Sequence, residues 1–87
     1  MDLDNLRNEI DKIDDELIKL FRRRMEIVNQ VANYKKKNNL PTLDQNREKS
    51  KIATLAKKLP AELSTYIHPL YNTLFEISRH YQQQQEK

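Results

Sequence analysis

An all-α fold is predicted for this chain by three features of its sequence. It has no glycine and only three prolines, a third of its residues are charged, and its apolar residues recur at alternating three- and four-residue intervals. Hairpins draw on glycine for their turns, whereas long charged side chains lose little rotamer freedom in a helix. With 87 residues and no internal repeat, the chain reads as one domain spanning residues 1–87. That length is close to where a self-contained core becomes marginal, so a partner subunit is expected. There is no cysteine for a disulfide or a thiolate nucleophile, and His68 and His80 lack metal-ligand spacing, so no metal site is expected. No apolar run approaches the roughly 20 residues of a membrane span, and the acidic N-terminus lacks the basic and apolar regions of a signal peptide. The expected location is the cytoplasm, away from any membrane.

From Leu3 onward apolar residues fall at positions 3, 6, 10, 13, 17 and 20, then at 27, 31 and 34. This a/d spacing predicts one long amphipathic helix over about residues 4–38. Asp2 or Asp4 can cap its start, and Asn38-Asn39-Leu40-Pro41 can end it, because the residue before a proline is pushed out of the α region. A helix of about 35 residues is about 50 Å long, whereas a compact chain of this size has a radius of gyration of about 12 Å. One subunit cannot cover such a rod. The second helix, over about residues 43–58, opens on Thr42-Leu43-Asp44-Gln45, the T-x-x-Q form of a capping box, with Ile52, Leu55, Ala56 and Leu59 on one face. After Pro60, a third helix over about residues 61–84 carries Leu63, Ile67, Leu70, Leu74, Ile77 and Tyr81 into a Gln-rich tail. Pro69 lies inside it, which predicts either a kink or a helix that properly starts near His68.

The formal charge of +3 invites anions in general, and Arg22-Arg23-Arg24 and Lys35-Lys36-Lys37 raise nucleic acid as a partner. The distribution argues for a blander origin. Seven acids between Asp2 and Glu16 face only Arg7 and Lys12, and seven bases between Lys19 and Lys37 face only Glu26. A helix macrodipole prefers that polarity, so Arg22, Arg23, Lys36 and Lys37 are expected in solvent and no nucleic-acid partner is expected.

The first helix breaks its own seam once. The rhythm that reaches Leu20 demands an apolar residue at 24, where the sequence has Arg24. With Val28, Val31 and Lys35 it forms an i, i+4, i+7, i+11 row, so two long cations lie about 16 Å apart on one face and can lean together. Arg7 shares the adjoining row with Phe21, Val28 and Lys35. On the third helix the row Ile67, Tyr71, Leu74 ends in Ser78 and Gln82, and on the second, Glu48 heads the row of Ile52, Leu55 and Leu59 beside Arg47. A buried cation costs several kcal/mol unless paired, so inward Arg24 and Lys35 imply carboxylate partners or an anionic ligand. Glu48 and Asp44 are the internal acids near these rows. Periodicity alone accommodates both a structural ion-pair network and a ligand site. Tyr71 and Phe21 are expected in the core, His80 at the surface, and His68 capping or packing near Pro69.

Taken together, Leu6-Arg7-x-x-Ile10-Asp11-x-Ile13-Asp14-x-x-Leu17-x-x-Leu20, then Arg24, Lys35, Asp44-x-x-Arg47-Glu48 and Ser78-x-x-x-Gln82, resemble the all-helical, type II chorismate mutases over nearly the whole chain. Each piece is weak by itself, since many coiled coils carry an arginine; the combination is specific. Pro69, the Gln-rich tail and a shortening around Lys58 to Glu62 depart from the family pattern without touching the matching positions. The resemblance implies an intertwined homodimer of long, short and medium helices with two equivalent pockets, each completed by Arg7 of the other subunit. It implies that Arg24, the visiting Arg7 and Arg47 bind the two carboxylates of chorismate with help from Ser78. Lys35 and Gln82 would hydrogen-bond the ether oxygen, and Glu48 with the backbone at Asp44 would hold the ring hydroxyl.

The implied reaction is the Claisen rearrangement of chorismate to prephenate, on the shikimate route to phenylalanine and tyrosine. It is intramolecular, with no proton to shuttle and no covalent intermediate, so it calls for no cofactor. An isochorismate-pyruvate lyase on the same fold is the nearest alternative, and a basic helical dimer that binds nucleic acid is the alternative from a different class. The completeness of Asp44-x-x-Arg47-Glu48 and Ser78-x-x-x-Gln82 favours the mutase. Such mutase domains are often fused to other enzymes of the pathway; Met1 favours a separate enzyme here, and 87 residues leave no room for a regulatory domain.

Overall fold

Asp2 starts the first helix. Its carboxylate accepts a hydrogen bond from the Asn5 backbone N–H at 2.8 Å, satisfying one of the donors that every helix start leaves open. From there the computed structural model, which describes residues 2–85, forms helix α1 over Leu3–Lys37, α2 over Gln45–Ala56, α3 over Ala61–Ser64 and α4 over Ile67–Gln85. Among the described residues there is no strand, so the fold is all-α.

α1 ends in a Schellman turn. Asn39 takes a left-handed φ of 55°, a conformation asparagine tolerates better than most residues, while the Leu40 N–H bonds the Lys35 carbonyl at 2.8 Å and the Asn39 N–H bonds that of Lys36 at 3.4 Å. The turn sends the chain back toward α2, whose N-cap is Asp44 rather than Thr42. The Asp44 carboxylate accepts from the Arg47 N–H at 3.0 Å, and the helix consequently starts at Gln45, later than the T-x-x-Q box predicted. A carboxylate is the better cap because it also carries charge of the sign that the helix start favours. α2 closes at Ala56, short of Lys58, with a turn leading into Pro60.

The expected third helix is divided at Thr65-Tyr66 into α3 and α4. Pro69 supplies the reason. It has no N–H to offer the Thr65 carbonyl four residues back, and its ring would crowd that carbonyl in a continuous helix. With α4 starting at Ile67, Pro69 falls in the first turn, where no intrahelical donor is needed, and the Leu70 N–H reaches Tyr66 at 3.2 Å.

α4 is the hub, packing on both α1 and α2 and receiving α3. It covers the C-terminal half of α1 only. Met25 is the one apolar side chain buried below a tenth exposure among the described residues, whereas Leu3, Leu6, Ile10, Ile13, Leu17 and Leu20 stand in the open. Phe21, expected in the core, is 38% exposed because it lies toward the half of α1 that the other described helices leave open. The subunit measures 55 × 28 × 15 Å with a radius of gyration of 16.2 Å, well above the compact value. Its accessible surface of 7540 Å² likewise exceeds the about 5,400 Å² expected for a compact monomer of this mass. None of the described helices is long and apolar enough to cross a membrane.

Asp2→Ala should lower stability by about 1 kcal/mol through loss of the α1 cap, and Asp2→Ser should retain most of it. Thermal or urea unfolding at a fixed protein concentration measures the difference.

Candidate active site

The inward cations of α1 are held in place by α4. Arg24 Nη1 donates to Ser78 Oγ at 2.7 Å, and the guanidinium carbon sits 5.8 Å from the centre of the Phe75 ring, within range of a cation–π contact. The Ser78 hydroxyl in turn donates a hydrogen bond to the Leu74 carbonyl at 2.8 Å, a neighbour one turn back, with Met25 Sδ 3.9 Å away. Phe75 is braced in turn by Tyr71, edge to face at 5.8 Å between ring centres. Arg24 is thus fixed by a hydrogen bond and a ring face, with no carboxylate involved.

One turn further on, Gln82 Nε2 donates to the Val28 carbonyl at 3.2 Å. That leaves the second amide proton and the side-chain oxygen uncommitted among the described residues. Ser78 and Gln82 are 6% and 8% exposed, the only polar side chains so buried among the described residues, which is the property their place on an apolar row predicted. Lys35, on the same face of α1 as Arg24, donates from Nζ to the Thr42 carbonyl at 3.1 Å and so ties the end of α1 to the loop before α2.

These groups enclose a cleft of about 290 Å³ between α1, α2 and α4. α1 contributes Arg24, Val28, Val31 and Lys35. The start of α2 contributes Asp44, Arg47 and Glu48, and α4 contributes Phe75, Ser78 and Gln82. Seven of the eight candidate residues therefore share one cavity. The eighth, Arg7, does not reach it: seventeen residues of helix put it about 25 Å along the α1 axis from Arg24, on the uncovered half of the rod.

Sequence reasoning missed three contributors. Lys51 joins the lining one turn after Arg47; Phe75 carries the Arg24 contact; Arg79 reaches in from α4. Arg79 corrects an expectation as well. Glu48, foreseen as a partner for the inward cations of α1, is instead bonded to Arg79, while the Asp44 carboxylate is engaged in capping α2. The only available signal for Arg79 was its position beside Ser78 and three residues before Gln82, which helical spacing alone could not separate from a surface site. Five cationic and two acidic side chains line the cleft, an excess of three positive charges. Among the described residues, Arg24, Lys35, Arg47 and Lys51 have no carboxylate within ion-pairing distance. Elsewhere Arg22 pairs with Glu26 on the solvent side, His80 is exposed, and His68 shares a hydrogen bond with Asn72 at 3.0 Å.

Such an arrangement can fix a small polyanion by several directed bonds, with an uncharged amide opposite an ammonium. Comparison with known proteins points the same way. The chain is 48% identical over 61 residues to the T-protein of Haemophilus influenzae, an alignment covering 69% of this chain and 15% of that protein. It is 38% identical over 81 residues to the bifunctional chorismate mutase/prephenate dehydratase of Buchnera aphidicola subsp. Schizaphis graminum, covering 88% of this chain and 20% of that protein. The chain therefore spans a fifth or less of the curated relatives it matches. No solved structure matches at a comparable level of significance. The profile of the family described as chorismate mutase type II matches residues 6–83, nearly the full length of α1 through α4, and the chain belongs to that family.

Proposed function

We propose that this chain is a chorismate mutase that converts chorismate to prephenate within a homodimer. The observation that carries the reading is the set of uncompensated cations in one cleft, Arg24, Lys35 and Arg47, placed around buried, uncharged Gln82. A dianion neutralises most of that excess. The printed name of the Buchnera relative includes the same activity, and the family match supports it.

In this reading Arg24 and Arg47 bind the two carboxylates, with Ser78 orienting Arg24 through the 2.7 Å bond. The substrate is held in its compact conformer, which removes much of the entropic part of the barrier. As the carbon–oxygen bond stretches and the new carbon–carbon bond forms, the ether oxygen gains negative charge. Lys35 Nζ and the free Gln82 amide proton meet that charge. Because their interaction strengthens along the reaction, it lowers the barrier rather than merely tightening the ground state. Glu48, with the backbone at Asp44, accepts the ring hydroxyl.

The second copy follows from the uncovered half of α1. The apolar seam from Leu3 to Leu20 and an excess surface of about 2,000 Å² are what an obligate homodimer interface would bury. A two-fold pairing of α1 helices would bring Arg7 of each chain to the cleft of the other, which its own cleft lies too far away to receive.

Five outcomes test these assignments. Purified protein should consume chorismate and yield prephenate; pyruvate from isochorismate instead would establish the lyase. Lys35→Ala should reduce kcat by about 100- to 1000-fold, the usual effect of losing one donor to a developing oxyanion, and Ser78→Ala far less. Turnover should stay nearly flat between about pH 5 and 7.5, because the Gln82 amide does not titrate. In Gln82→Glu the same position could donate only when protonated, so activity should fall as pH rises. For the dimer, mixing inactive Arg7→Ala and Arg24→Ala chains should restore about a quarter of wild-type activity, because half of the randomly exchanged dimers hold one intact pocket of two. No recovery after subunit exchange would exclude a shared pocket.

A further inference from the structure

The cleft contains one ion pair among the described residues, and it joins two of its walls. Arg79 Nη1 on α4 lies 2.5 Å from Glu48 Oε2 on α2, with the two side chains 31% and 26% exposed. Both line the cleft, and Arg79 neighbours buried Ser78 in sequence. A surface pair of this kind holds little, but a partly buried, charge-assisted bond is short and directional. Glu48 also has other cations near it on α2: Arg47 is adjacent and Lys51 lies one turn on. The carboxylate nevertheless bonds across to α4.

We propose that Arg79 is a positioning residue that acts through Glu48, and that it sets how tightly the site grips the ring hydroxyl of its substrate. This rests on the chorismate reading above. A carboxylate has two oxygens. Arg79 occupies Oε2, which leaves Oε1 to accept the hydroxyl and fixes the plane in which it does so. Arg79 itself makes no contact with the reacting atoms. Its contribution is therefore confined to substrates that carry the hydroxyl.

The test compares chorismate with an analogue that lacks the ring hydroxyl, using wild type, Arg79→Ala and Arg79→Lys. For Arg79→Ala, kcat/KM with chorismate should fall about tenfold or more, chiefly through KM, while the analogue should change less than about twofold. The ratio of the two kcat/KM values is independent of how much of the variant is correctly folded, so a loss of stability cannot imitate the effect. Arg79→Lys, which keeps the charge, should recover most of the preference for the hydroxylated substrate. In a Glu48→Gln background, removing Arg79 should cost nothing further. An equal loss with both substrates would show that Arg79 binds the carboxylates directly, and no loss with either would show that the pair is idle; each result overturns the proposal. Wild-type protein without turnover of chorismate removes the mutase reading and this inference with it, an outcome distinct from the other two.

Discussion

The hydrogen bond from Arg24 to Ser78 is the interaction on which the cleft depends. It takes the one cation that interrupts the seam of α1 and fastens it to α4, 54 residues later, with Phe75 under the guanidinium. Hydrogen bonds to a charged group are worth about 1.5–3 kcal/mol, more than a neutral pair, yet this one leaves the positive charge uncancelled. A carboxylate at position 78 would have paired with Arg24 and removed the charge from the cavity. A serine satisfies the geometry and leaves the field. The same economy appears at Gln82, which bonds the Val28 carbonyl with one proton and keeps the other, and at Lys35, whose partner is the neutral Thr42 carbonyl.

The second constraint is the length of α1. Thirty-five helical residues cannot be covered by the fifty that follow, so the subunit divides its long helix between two tasks. The C-terminal half meets α4 and builds the cleft. The N-terminal half presents an exposed apolar seam, with Arg7 on the same stretch, and packs against no other helix among the described residues. Among the described residues a dry core is nearly absent: Met25 is the one buried apolar side chain, and the other two buried side chains, Ser78 and Gln82, are polar and line the cleft. A chain built this way places its best-packed positions at the cleft and leaves the apolar seam of α1 exposed.

The candidate site and the scaffold also share residues. Asp44 caps α2 and lines the cleft, and the Schellman turn that ends α1 aims the loop so that Thr42 can hold Lys35. Local structure at the two helix ends therefore sets the opening between α1 and α2, and small changes in the caps would be felt by the cations.

The sequence by itself determined the all-α class, the long first helix and the inward direction of Arg24, Lys35, Ser78 and Gln82. These follow from the 3.6-residue period, which ties side-chain direction to position without reference to any other element. It did not determine that Glu48 would bond Arg79, that Phe75 would lie beneath Arg24, or that Phe21 would remain exposed, because such pairings depend on distances between helices that no single periodicity encodes. Thr65-Tyr66 lies between the two cases. Pro69 announced a disruption and left both a kink and a fresh helix start open; the structure has the fresh start, with α4 opening at Ile67. Arg7 was legible in the same way: 28 residues of helical rise put it about 42 Å from Lys35, so a shared face is not a shared place, whereas which helices close over Arg24 and Lys35 was decided by the tertiary structure alone.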